Sequence, residues 1–290
     1  MPYEHLDENR LFAMDLSPEE RIALIRNDVI INTEHLMSVT TIVSNMIAIT
    51  KGSMEAPCLV VTADTNYGKS TICDAIRGMD KSWSRKIRYV TFVKRTDKKQ
   101  ARPKPLHTLM RGLGLEPGKY GIDIDIIVEY CLANDIRAIF MDEFQDSVIG
   151  LSAQEQRDFM STLRGLCGHP VFMSFFAFGV AETINALAFD SQYIRRFEIY
   201  DVTAWSHQDA EFLNFLDTWE SIAPLALPSK LSSPELSTFI HAKTGGVIGK
   251  ICELLKAAAA YAISTGTEKI TLEMLQLSTK SKWLQKLVEK

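Results

Sequence analysis

The stretch "VTADTNYGKST" (61–71) constrains this chain more than any other. It runs Ala63, four residues, Gly68, Lys69, Ser70, and so meets seven of the eight positions of the phosphate-loop pattern G-x-x-x-x-G-K-[ST]. Alanine stands where the first glycine is usual. Such a loop turns backbone N–H groups inward around phosphate oxygens, and the helix that follows aims its positive N-terminus at them. Gly68 must bring backbone against phosphate with no Cβ in the way, whereas Ala63 closes a strand, where a small side chain is tolerated. Asp64, Thr65, Asn66, Tyr67 and Thr71 complete the candidate phosphate-binding segment. Lys69 would neutralise the β- and γ-phosphates, and the Ser70 hydroxyl would ligand Mg2+. "APCLVVTA" before the loop reads as a short apolar strand and "STICDAIRGM" after it as a helix, the context the motif requires. The plain alternative is a polar turn joining a core strand to a helix.

A phosphate loop needs an acidic partner on another strand, and "RAIFMDEFQD" (137–146) supplies one. Residues 138–141 are apolar and form the strand; Asp142 at its C-terminal end would hold Mg2+ through water, and Glu143 would polarise the attacking water. Ligands bind at the carboxyl edge of such sheets, which is where this pair falls. Many strands end in acidic turns, so the pair gains its meaning from the loop 73 residues earlier at Lys69. Together they call for ATP and Mg2+.

The pattern around these motifs alternates strands and helices. "CLVVTA", "KIRYVTFV", "RAIFMD" and "VFMSFFAF" are apolar without alternation, as in a parallel sheet buried on both faces. An α/β domain with a central parallel sheet flanked by helices is expected over 51–205. It is preceded by a helical segment, 1–50, in which Ser17, Pro18 and Glu20 form a helix start with a capping box. Beyond 206 only helix-like stretches follow, so a small all-α domain is expected over 206–275, with a tail at 276–290.

Composition excludes several classes. Apolar content of 46% and charged content of 23% are ordinary for a globular chain. The five cysteines lack CxxC spacing and are odd in number, against a zinc site or disulfide framework and in favour of reduced thiols in the cytoplasm. No signal peptide is read at the start, and the longest apolar run, 171–181, is too short to span a bilayer.

A net charge of −4 hides one basic stretch. Residues 81–104 hold ten Lys or Arg and a single acid, Asp97. Lys94, Arg95, Thr96, Lys98, Lys99, Arg102 and Lys104 fall in its loop portion, where they can neutralise nucleic-acid backbone phosphates with weak sequence preference. A solvated charged loop is the other reading. "QYIRRFE" (192–198) places Arg195 and Arg196 where one of them could reach a neighbouring subunit's γ-phosphate; the alternative is a surface pair meeting Glu198 or Asp201. "TGGVIGK" (244–250) opens a helix with Lys250 in its first turn, either contacting nucleotide or facing solvent. A polar sensor is expected at the end of "VFMSFFAFG"; Ser174 is a candidate but lies early on this apolar strand.

In this order, the motifs resemble the AAA+ ATPases and, more narrowly, the TniB/TnsC family of transposition regulators. The narrower resemblance rests on "RIALIRNDVII", "DTNYGKSTI", "MDEFQD", "FAFGVAETINALAFDSQYIRRFE", "TAWSHQDAEFLNFLDTWES", "PLALPSKLSSPELS" and "TGGVIGKICELLKAAAAYAI", which span about 21–270. It implies an AAA+ P-loop domain followed by a helical lid. It also implies an ATPase that oligomerises as rings or helical filaments on double-stranded DNA and marks the target for a transposase. A TniQ-type target selector, sometimes guided by a CRISPR effector, would recruit it, and hydrolysis stimulated by DNA or the transposase would disassemble it. By position, Lys69 and Ser70 become the phosphate loop and Asp142 and Glu143 the acidic strand end. Arg195 or Arg196 becomes the trans-acting arginine, and the loop after Val93 the DNA-tracking element. Ala63 departs from the family pattern, and "FGV" leaves Val180 unable to act as a polar sensor, so hydrolysis is expected to be slow. A helicase loader or replication initiator with the same core, or an ATP-binding DNA platform with negligible turnover, are the rival readings.

Overall fold

The structure is a computed structural model that describes residues 3–27, 29–49, 55–79, 81–93, 104–116, 124–188 and 191–280. In chain order its helices and strands are α1 (Pro18–Arg26), α2 (Glu34–Ile49), β1 (Cys58–Thr62), α3 (Lys69–Gly78), β2 (Ile87–Thr91), α4 (Pro105–Leu113), α5 (Ile124–Ala133), β3 (Ala138–Asp142), α6 (Ala153–Cys167), β4 (Ser174–Gly179), α7 (Glu182–Leu187), α8 (Ser191–Ile194), β5 (Phe197–Asp201), α9 (Ala210–Ile222), α10 (Pro234–Thr244), α11 (Ile248–Ser264) and α12 (Leu272–Lys280). Two compact units share them. One comprises His35–Thr65 and Lys69–Val202; the other comprises Met1–Glu34, Asn66–Gly68 and Thr203–Lys290.

The first unit is built on a five-stranded sheet in the order β2-β3-β4-β1-β5, and each strand pairs in parallel with its neighbours. β1 and β4 are buried along their whole length, and β3 along all but its last residue. That is why these strands read as unbroken apolar runs. Phe140, Phe176 and Phe178 pack against each other across β3 and β4, with ring centroids 4.9 and 5.8 Å from Phe140. Because the sheet is parallel, every strand delivers its C-terminus to one edge. There β4 stands between the acidic end of β3 and the end of β1, with Met141 beside Ala177 and Thr62 beside Gly179.

β5 is a strand the sequence reading did not separate from the segment around it. Phe197 faces the core while Glu198 and Ile199 are exposed, the pattern of an edge strand with one partner, β1.

The second unit is helical. Ser17 accepts from the Glu20 N–H, and the Glu20 carboxylate accepts from the Ser17 N–H, so the capping box expected at the start of α1 is present. Ile25 of α1 joins a core formed with Phe212, Leu216, Ile240, Ile251 and Leu255. The alanines at 257–260 of α11 are fully buried, small enough to admit neighbours close to the helix axis. Arg21, almost fully buried, pairs both its terminal guanidinium nitrogens with Glu268 at 2.7 Å and donates to the Pro224 carbonyl at 3.2 Å. The segment 1–50 is therefore divided: α1 joins the C-terminal helices through Ile25 and Arg21, whereas α2 belongs with the sheet. No helix among the described residues is long and apolar enough to cross a membrane.

Candidate nucleotide-binding site

The phosphate loop follows β1 directly and ends where α3 begins. Two of its residues take the left-handed conformation, Asn66 at φ +71° and Gly68 at φ +83°. Glycine at 68 is therefore required by backbone shape, and asparagine is one of the few other residues that adopts it readily. Ala63 keeps an ordinary backbone, so the substitution that departs from the usual motif costs the loop no strain. Its N–H donates to the Gly179 carbonyl at 3.2 Å, which ties the start of the loop to β4.

Lys69, the first residue of α3, is nearly buried, and its ammonium donates to the carbonyls of Ala63 and, at 2.8 Å, Asp64. Burial lowers its pKa, while the carboxylates of Glu143, Asp64 and Asp142 act in the opposite direction. The lysine on one strand's loop and the acids on another's are thus electrostatically coupled across β4. Burial raises the pKa of Asp142 at the tip of β3; the N–H of Glu143, 3.0 Å from Asp142 Oδ1, works against that rise. Ser70 and Thr71 are exposed on the first turn of α3.

The tip of the loop packs against the first turn of α11. Gly249 donates its N–H to the Asn66 carbonyl at 2.8 Å, and a Cβ on Gly249 would lie 2.6 Å from that oxygen. The glycine of "TGGVIGK" that precedes Lys250 is thus a close-approach residue. Lys250 itself is exposed on the same turn.

Two residues near Glu143 were not singled out in the sequence. The Gln145 side-chain amide donates to the Glu143 carboxylate, and the Thr183 hydroxyl donates to the Gln145 carbonyl oxygen at 3.0 Å. Their partnership arises because β3 and β4 are neighbours, a fact of topology that spacing along the chain does not show.

The arginines separate. Arg196 donates to the Glu55 carboxylate and to the Arg164 carbonyl, whereas Arg195 is exposed. Ser174 opens β4 beside Ala138, at the edge opposite the phosphate loop, and is fully buried; it does not lie where a sensor is needed. In the basic stretch, Lys86 pairs with Asp135 at 2.8 Å, and Arg88 donates to the carbonyls of Arg85 and Ile87. Lys104 is exposed at the start of α4; Lys94, Arg95, Thr96, Lys98, Lys99 and Arg102 lie outside the described residues.

The residues present fit a nucleotide and its metal. A helix N-terminus, left-handed loop positions and a coupled lysine suit phosphates. Mg2+ travelling with a nucleotide takes few protein oxygens, and Asp142 and Ser70 can supply them. No group of three or more His, Cys, Asp or Glu that could hold a metal by itself occurs among the described residues.

This sheet order with its phosphate loop and acidic strand end defines an AAA+ ATPase fold. The Aeropyrum pernix ORC2 protein in its ADP form shares it, with a TM-score of 0.60 at 14% identity over 89% of this chain and 72% of that one. The Aeropyrum pernix ORC1 protein in complex with DNA gives 0.54 at 11% identity, over 89% and 68%. The Thermotoga maritima RuvB Holliday junction branch migration motor gives 0.52 at 12%, over 89% and 72%. At such identities these likenesses are of fold. Within that class, residues 123–207 match the family model of the bacterial TniB protein. No curated protein matches it in sequence.

Proposed function

We propose that this protein is a cytoplasmic, ATP-dependent regulator of transposition that assembles on duplex DNA and releases it on hydrolysis. The observation that carries the ATP site is that nearly buried Lys69, after β1, and Asp142 and Glu143, at the end of β3, come to one edge of the parallel sheet. The TniB match, which covers β3 to β5, directs that site toward transposition rather than replication initiation, since the ORC-like fold is common to both readings.

In this reading, residues 63–71 grip the triphosphate through backbone N–H groups and the Lys69 ammonium. Ser70 and Asp142 would hold Mg2+, whose charge would offset that of the β- and γ-phosphates. Glu143 orients a water whose oxygen bonds to the γ-phosphorus as the bond to the β–γ bridging oxygen breaks. The water's proton passes to the Glu143 carboxylate, and ADP and phosphate leave. Arg195, exposed beside its committed neighbour, is the better choice to reach the γ-phosphate of an adjacent copy. Lys250, exposed on the helix whose first turn holds the loop tip, is a further nucleotide contact. Lys94, Arg95, Thr96, Lys98, Lys99, Arg102 and Lys104 track DNA phosphates, each weakly, and assembly sums them. A transposase and a TniQ-type selector, with or without a CRISPR effector, are the partners this role implies.

The test is electron-microscope imaging of the protein with duplex DNA in ATP, a non-hydrolysable analogue, ADP and no nucleotide. Rings or filaments only with ATP or the analogue, abolished by Lys69→Ala, are expected. A failure to form DNA-bound oligomers under all four conditions would overturn the reading.

A further inference from the structure

Glu143 occupies an unusual position for a side chain that must present its carboxylate accurately. Its backbone is left-handed, at φ 52° and ψ 44°. For a residue with a Cβ that conformation is unfavourable and persists only where the surroundings hold it. Asp142 Oδ1 holds its N–H, and the Gln145 amide holds its carboxylate.

The amide of Gln145 can do this in one orientation only. An ionised carboxylate accepts and does not donate, so the NH2 end must face Glu143; the carbonyl end then needs a donor of its own. Thr183, fully buried at the start of α7, supplies it. The hydroxyl therefore locks the amide against flipping. The room for this pairing comes from Gly179 at the end of β4, since a Cβ there would collide with both Thr183 Oγ1 and Gln145 Oε1. Three elements, the turn after β3, the tip of β4 and α7, converge on one carboxylate.

We infer that Gln145 and Thr183 are positioning residues for Glu143, the hydroxyl fixing the amide and the amide fixing the carboxylate that takes the water's proton. This rests on the ATPase reading above. The relay acts on the chemical step and not on nucleotide capture, because neither residue belongs to the phosphate loop.

The test measures phosphate release by the full chain at saturating ATP and Mg2+, with duplex DNA, alongside binding of a fluorescent ATP analogue. Gln145→Leu and Thr183→Val are expected to lower kcat about 10-fold or more, as for outer groups that orient a ligand, with analogue binding unchanged. Thr183→Ser, which keeps the hydroxyl, should restore most of the rate. The double variant should be no slower than the worse single one, since both break the same relay. If Glu143→Gln abolishes turnover while Gln145→Leu and Thr183→Val keep full kcat, the relay is overturned and the ATPase reading stands. If both variants lose binding together with turnover, or Thr183→Ser is as slow as Thr183→Val, the residues are only structural and the inference also fails. Turnover that survives Glu143→Gln, or is absent from the unaltered protein, overturns the ATPase reading and the relay with it.

Discussion

Arg196 donates to the Glu55 carboxylate at 2.5 Å, which commits one member of the arginine pair to its own subunit. Its second bond, to the Arg164 carbonyl at 2.9 Å, completes the commitment. Arg195→Ala is therefore expected to abolish ATP-dependent oligomers on DNA while leaving urea stability unchanged. Arg196→Ala should instead cost about 1–2 kcal/mol of stability, the scale of a charged hydrogen bond to a partly exposed partner. Imaging and urea titration of the two variants separate the roles; the opposite pattern would assign the trans contact to Arg196.

The two small residues of the phosphate loop should respond oppositely to a change of one methyl group. Ala63→Gly alters no left-handed position and should leave nucleotide affinity close to that of the parent. Gly68→Ala places a Cβ at φ +83° and, with Ile248 Cγ2 3.3 Å from it, should weaken binding about 10-fold, or about 1.4 kcal/mol. Titration with a fluorescent ATP analogue reads both.

The Arg21–Glu268 pair makes stability depend on acid. The hydrogen bonds from Arg21 lower the Glu268 pKa in the folded protein. A depressed carboxylate stabilises the fold fully above its unfolded value, about 4.3, and that contribution disappears as pH falls through the lower folded value. Glu268→Gln should lose about 2–3 kcal/mol at pH 7, from bonds to a charged group nearly out of water. The gap between variant and parent should close below about pH 4, as the unfolded carboxylate and then the folded one take up protons. Urea melts across that range measure it.

Replacing Lys94, Lys98 and Lys99 together by alanine should weaken DNA binding to a similar degree on unrelated sequences. For each cation withdrawn from a phosphate, the slope of log K against log salt should also flatten by about 0.9. An unchanged slope would return the stretch to an ordinary solvated loop.

Three central strands, the turn joining β1 to α3 and the capped start of α1 were legible in the sequence because each rests on local chemistry. Burial on both faces removes alternation from β1, β3 and β4, and a capping box lies within four consecutive residues, Ser17 to Glu20. β5 was not legible, since an edge strand with exposed Glu198 and Ile199 resembles the loops around it. The division of the N-terminal segment depends on a pair 247 positions apart, Arg21 and Glu268. Ser174 already reads as early on its apolar run, and register against Ala138 puts it at the start of β4. Gln145 and Thr183 look like ordinary polar residues until β3 and β4 are set side by side.

Gly179 gives the site an unusual handle. Most ways of stopping a hydrolytic centre remove a charge, and so disturb every ion and phosphate near it. At position 179 a single added carbon would wedge two neutral side chains apart and so release the Glu143 carboxylate from its amide partner, while removing no charge from Lys69, Asp142 or Glu143. A chain altered there should load nucleotide at its normal rate and then wait. Under the proposed function, that would turn a transient complex on DNA into one that lasts long enough to be isolated with whatever has joined it.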